Sequence, residues 1–174
     1  LNGDILEMAL CETNEAAMAF ERFLDLVMPS GAALFDKILY VPGNHDHHLW
    51  ESARETQYVD HVKTIVAGKP LPVPWHTTSM FIEEDPNPVP CYFLTALVNR
   101  SPHLKDFKIF IAYPNLGLFK DEAQRCVIFS HGHFIEPLYT LMSTLRTLIF
   151  SGRDQPQNIW DLEAENFAWI DFFW

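Results

Sequence analysis

The chain has 174 residues, room for one ordinary domain. With 48% of residues apolar and 20% charged, wholesale disorder is excluded. Twelve Lys and Arg against 23 Asp and Glu leave a net charge of −11, which excludes a nucleic-acid scaffold built on a basic stripe. A phosphate-handling enzyme stays open, because bound divalent cations supply the missing positive charge.

Leu1 and Asn2 read as the end of a strand entering a loop at Gly3-Asp4. Thr13 to Met28 is predicted helical, capped by Thr13 or Asn14, with Ala16, Phe20, Phe23, Leu24 and Val27 at helical spacing. Pro29-Ser30-Gly31 ends it. Lys37 to Val41 has strand length and apolar character, and Pro42-Gly43 stops it. A second helix is expected from Leu49 to Ala67, with Tyr58, His61, Val62, Ile65 and Val66 on its buried side. Prolines 70, 72, 74, 86, 88 and 90 forbid long regular elements, so an extended proline-rich insertion is expected within 68–106. Phe107 to Ala112 and Cys126 to Ser130 read as a strand pair, with a turn from Asn115 through Asp121. Leu138, Leu141, Met142, Leu145, Leu148 and Ile149 form an apolar stripe at helical spacing, and a last aromatic helix is expected over Ile159 to Trp174.

Cys11, Cys91 and Cys126 are odd in number and lack a CxxC spacing, which disfavours a disulfide framework or a structural zinc knot and suits a reducing compartment. Cys126 is read as a packing residue buried in its strand. No apolar run reaches the ~18 residues of a membrane-spanning helix. The chain opens without Met and closes on Phe172-Phe173-Trp174, and it is expected to be incomplete at both ends.

Three segments carry the chemistry: Gly3-Asp4-Ile5-Leu6-Glu7, Gly43-Asn44-His45-Asp46 and Ser130-His131-Gly132-His133. Each lies where an expected strand meets a loop, the edge at which open sheets collect ligands. Each pairs a hard or borderline metal ligand with a glycine that permits a sharp turn. Such a set suits hydrolysis at phosphorus: two ions about 3.5–4 Å apart acidify a bridging water and clamp phosphate oxygens, while a histidine protonates the leaving group.

In that order, these segments resemble the calcineurin-like metallophosphoesterases. The resemblance implies that Asp4 bridges two metals, that Asn44 and His131 bind the second of them, and that His45 is the general acid, oriented by Glu7. It implies a layered α/β fold, a metallophosphoesterase-like β-sandwich flanked by helices, with a helical, aromatic cap at the C-terminal end. Residues 1–174 would form one such domain, with 136–174 as cap or lid. The reaction implied is hydrolysis of phosphomonoesters, phosphodiesters or pyrophosphates by a hydroxide activated at two divalent ions, manganese first, with iron or zinc as alternatives. The implied partner is a small phosphorylated substrate, a lipid-linked one among the alternatives. The expected location is cytoplasmic, with or without peripheral membrane contact, and a homo-oligomer is open. The family's Asp-x-His segment is absent, and Gly132-His133-Phe134-Ile135 has Ile where Gly-His-x-His has its last His. The rival reading is therefore a non-catalytic interaction module that keeps the fold without a full metal site.

Among the other histidines, His47 and His48 are expected as solvated loop residues, and His61, His76 and His103 as surface or satisfied core residues. His133 is left without a role. The final helix is read as a core or oligomer-contact element, or as a lid, with Asp161, Glu163, Glu165 and Asp171 on its polar face.

Overall fold

A computed structural model describes residues 1–71, 81–82, 89–120, 125–152 and 154–173. His76, four of the six prolines and Asp121 lie outside these residues. Among them are five α-helices and six short strands: α1 Thr13–Val27, β1 Ile38–Tyr40, α2 His48–Thr64, β2 Phe81–Ile82, β3 Val89–Pro90, α3 Tyr92–Val98, β4 Ile109–Ile111, β5 Asn115–Lys120, β6 Arg125–Ser130, α4 Pro137–Ile149 and α5 Ile159–Phe173.

The strands form two three-stranded sheets, in the orders β1-β4-β3 and β2-β5-β6. In the first sheet β1 runs parallel to β4, with Ile38 opposite Ile109 and Tyr40 opposite Ile111, and β3 is antiparallel to β4. Ile38, Tyr40, Ile109 and Ile111 are all buried, as alternation along a pleated strand requires for one face against a core. Leu1 to Gly3 continues this sheet beside β1: Asn2 bridges Val41 in parallel, the Gly3 amide donates to the Val41 carbonyl at 2.6 Å, and the Val41 amide donates to Leu1 at 3.1 Å.

One large core holds the first sheet, α1, α3 and the start of α2 together. Ala16, Ala17, Phe20 and Leu24 give α1 its buried face, and Leu94, Leu97 and Val98 do so for α3. The α1 cap differs from the expectation: Glu12 occupies the N-cap position, and no side chain caps the helix. Residues 92–98, inside the stretch expected as an insertion, are a core helix. The buried residues of α2 are Leu49, Trp50, Ala53 and Arg54 at its first turns, whereas His61 and Val66 are exposed. The helix anchors by its N-terminal end, because that end enters the core directly from β1.

The expected β-sandwich is not the observed fold. A sandwich needs two sheets face to face, each with an inward row of side chains. Here, among the described residues, each sheet has only three strands, of two to six residues. Arg125 to Phe129 on β6 are exposed at every position, so this strand covers no core. Cys126 is accordingly exposed rather than buried. The segment expected as a turn, from Asn115, is instead strand β5, paired antiparallel to β6 from Asn115–Ser130 to Lys120–Arg125. The two segments expected to pair, around β4 and β6, lie in different sheets.

The apolar stripe of α4 is also not core. Leu138, Leu141, Leu145, Leu148 and Ile149 are exposed, and the helix buries Tyr139 and Ser143 instead. On α5, Ile170 is buried and Phe172 exposed; Glu165, expected on the solvent face, is buried with its carboxylate 3.3 Å from Arg146 Nε. No helix among the described residues is long and apolar enough to cross a membrane.

These burial differences set a test. Leu94→Ala should lower the unfolding free energy by about 2–5 kcal/mol, the cost of a core Leu truncation. Leu148→Ala, at a residue 74% exposed, should change it by less than ~0.5 kcal/mol. Urea unfolding of the two variants measures both; an equal cost at Leu148 would mean that α4 packs through its apolar stripe.

Candidate metal centre

The three motif segments meet at one edge of the first sheet. Gly3 and Asp4 follow the strand-like pairing of residues 1–3 with β1, Pro42 to Asp46 follow β1 itself, and His131 follows β6. Both Gly3 and Asp4 have positive φ, +68° and +46°. This left-handed turn swings the Asp4 carboxylate towards the neighbouring loop, and glycine at position 3 supports it without strain. Space imposes a second requirement. A Cβ at Gly3 would overlap the His131 ring, and one at Gly43 would overlap the Asp4 carboxylate.

The carboxylate of Asp46 joins two of the loops. It is fully buried and accepts from the Gly43 amide at 2.8 Å and the Leu6 amide at 3.2 Å. Burial pushes its pKa up to about 6, reinforced by the nearby Asp4 charge and opposed by the amides. Asp46 was visible in the sequence only as the last letter of a motif; its role as a clamp needs the fold.

The three residues expected as ligands come together around His131. His131 Nε2 lies 3.1 Å from Asp4 Oδ2 and 3.2 Å from Asn44 Oδ1. Asp4 Oδ1 also accepts from the His45 amide at 3.0 Å. For Asp4, burial favours the neutral acid, but the His131 hydrogen bond and the His45 amide outweigh it and lower the pKa. The His131 pKa is raised, chiefly by its hydrogen bond to Asp4, against the opposing effect of burial.

These donors fit one divalent ion. Nitrogen and oxygen ligands about 2.0–2.2 Å from a tetrahedral ion stand ~3.3 Å from one another, close to the separations seen. A carboxylate, an amide oxygen and an imidazole also form a chemically reasonable set for manganese, iron or zinc. Around Asp4, no group of three His, Cys, Asp or Glu donors gathers among the described residues, so a second ion would share Asp4 without a comparable set.

His45 and Glu7 form a second unit beside this set. His45 Nδ1 is 2.8 Å from both carboxylate oxygens of Glu7, with His45 largely shielded and Glu7 more open. Such a contact fixes the ring and its tautomer, leaving proton transfer to run through Nε2.

Another histidine departs from expectation, and His133, given no role from the sequence, is packed in the interior. His47 is not solvated: it is fully buried, stands edge-on to Tyr113 at 4.7 Å and meets Glu51 Oε1 through Nδ1 at 3.0 Å. The burial of His133, two residues beyond the candidate ligand His131, is equally complete. Its Nε2 pairs with the Tyr113 hydroxyl at 3.0 Å, and burial first, then the charges of His131 and His47, push its pKa down to about 3. A histidine held neutral and packed in this way supports its neighbour's position. His103 bonds the Met28 carbonyl at 2.7 Å, a satisfied residue, and Cys91 is a buried thiol pushed up to about 11.

No family model matches the chain, and no curated protein or solved structure matches it.

The Asp46 clamp makes a pH prediction. Its folded pKa lies above the ordinary 3.8, so the folded chain holds a proton that the unfolded chain has released. This contribution to stability is fully present below about pH 3.8 and is lost as pH rises through about 6. Asp46→Asn lacks that titration, so its stability deficit against the parent should shrink by up to ~3 kcal/mol between pH 4 and 7. Urea unfolding at both pH values checks the sign; a deficit that grows would contradict it.

Proposed function

We propose that this chain is a metal-dependent phosphoric ester hydrolase, with a divalent ion held by Asp4, Asn44 and His131 and with His45 as the general acid. The observation that carries the reading is the convergence of three separate loops, His131 Nε2 lying 3.1 Å from Asp4 Oδ2 and 3.2 Å from Asn44 Oδ1, beside a histidine locked by a carboxylate. The order and identity of these residues are those of the resemblance to calcineurin-like metallophosphoesterases, which supports the reaction class but not the sandwich fold.

When bound, a divalent ion supplies Lewis-acid polarisation of a phosphoryl oxygen and acidifies a coordinated water. Manganese is the first choice, with iron or zinc as alternatives. The remaining work belongs to side chains. Asp4, with its lowered pKa, contributes a full negative charge at neutral pH. Asn44 adds an oxygen without charge, and His131 adds a nitrogen whose loop enters from the second sheet. As a water oxygen forms its bond to phosphorus and gives up a proton to solvent, the ester P–O bond breaks and the departing oxygen takes the proton of His45. Glu7, on Nδ1, orients the ring for that transfer.

A non-catalytic interaction module is the second reading, favoured by the exposed apolar residues of α4 and β6. One experiment separates the two: elemental analysis, with hydrolysis of an aryl phosphate monoester and diester in the presence and absence of Mn2+. The hydrolase reading predicts bound metal and turnover. His45→Ala should reduce turnover by ~10²–10⁴-fold with metal content unchanged, the usual range for losing a general acid. Asn44→Ala and His131→Ala should lose metal together with activity. Parent protein without bound metal, and without hydrolysis at any added ion, would support the interaction module.

A further inference from the structure

A second set of donors lies outside this centre, between α2 and α5. His48 and Glu51 occupy the first turn of α2, and Asp171 the last turn of α5. One ligand atom from each lies within 4.8 Å of the other two. His48 Nδ1 is 3.0 Å from Glu51 Oε2, a separation compatible with two ligands on one small ion. We propose that His48, Glu51 and Asp171 form a single-ion site for a zinc-class divalent cation that fastens α5 to the start of α2.

Three features of the geometry favour a cation there. First, the site draws donors from residues far apart in the sequence, and its two carboxylates face one another across two helices. Their contact carries like-charge repulsion, which a divalent ion would convert into attraction. Second, no basic residue lies in the last turn of α5, where Asp171 adds a negative charge to the carbonyl end of the helix; a cation is the favoured occupant of such an end. Third, the set contains an imidazole as well as carboxylates, which suits zinc better than calcium or magnesium.

Glu51 is well placed to hold its geometry. Its other oxygen, Oε1, meets Nδ1 of the fully buried His47 at 3.0 Å, and only 15% of its side chain is exposed. His47 is thus an outer partner of the kind that orients a ligating carboxylate. The His48 side chain is 51% exposed, so the site opens to solvent and has room for water at a fourth position. The site is independent of the proposed hydrolase: it shares no residue with Asp4, Asn44, His45 or His131.

The test isolates this site by removing the other. In a His131→Ala background, titration with Co2+, followed by its visible absorption, should show one ion bound per chain. Adding Asp171→Ala should weaken that binding by more than ~10-fold, the lower range for losing even an outer partner of a ligand. The proposal is overturned if the His131→Ala chain binds no Co2+, or if Asp171→Ala leaves its affinity unchanged. Protease protection in the otherwise unaltered chain supplies a readout should His131→Ala not fold. Zn2+ should slow cleavage within residues 159–173 of the parent, and this protection should vanish in Asp171→Ala. Equal cleavage with and without Zn2+, or equal protection in both proteins, overturns the proposal. None of these readouts uses phosphatase activity, so failure here and failure of the hydrolase reading are distinguishable.

Discussion

The loop that supplies Asp4 and Glu7 is held to the loop that supplies Asn44 and His45 by one buried carboxylate, and the rest of the centre depends on that attachment. Asp46 accepts from the amides of Gly43 and Leu6, one on each loop. Neither amide has water to turn to at this depth, so losing the carboxylate would leave two buried donors to satisfy. Fixing these amides fixes the backbone from which the candidate ligands Asp4 and Asn44 project. The Asp4 carboxylate then reaches the His45 amide, and Glu7 reaches the His45 ring. The absence of side chains at Gly3 and Gly43 is part of the same arrangement, because His131 and Asp4 occupy the volume that a Cβ would take.

The convergence of the candidate residues was more legible in the sequence than the architecture around them. Asp4, Asn44, His45, Glu7 and His131 stand in short segments whose residue types have few other reasons to occur together, and the fold brings all five to one edge. Helix α1 was equally plain, since Ala16, Phe20 and Leu24 repeat every four residues on a face that is buried. What periodicity could not reveal was the partner of a face. The α4 stripe and the α1 stripe have the same spacing, yet only α1 meets the core. The same ambiguity misled the reading of β6, whose apolar composition resembled a core strand although its residues are exposed. Proline content misled differently: it argued against regular structure across 68–106, while the proline-free stretch Tyr92–Val98 formed a helix inside it.

Roles that depend on burial were the least visible. His47 and His48 are adjacent and look alike in sequence, but they have opposite surroundings. A rotation of about 100° per residue at the start of the helix sends His47 into the core against Tyr113 and leaves His48 at the surface beside Glu51 and Asp171. His133 similarly lies two residues beyond the candidate ligand His131 and is buried among aromatic rings, with Tyr113, Phe134 and Tyr139 around it. A histidine-rich motif therefore divides into donors and packing residues according to which side of the chain meets the core. Nothing in residue type alone makes that division.

This division bears on how the second sheet is positioned. Strand β6 buries none of residues 125–129, so apolar packing along it cannot fix where it ends. Its end is instead held by polar contacts and by the packing of the segment after it. Asn2 Nδ2 donates to the Ser130 carbonyl at 3.1 Å, His131 pairs with Asp4, and beyond the left-handed turn at Gly132, His133 inserts against Tyr113. The groups proposed as ligands are thus also among the groups that join the second sheet to the first. An ion bound by Asp4, Asn44 and His131 would strengthen a junction that the core also supports through Leu116, packed with Val41 and Ala112, and through His133. Metal affinity and the placement of β6 are then linked quantities, because the free energy of binding includes that of ordering the loop which carries the imidazole.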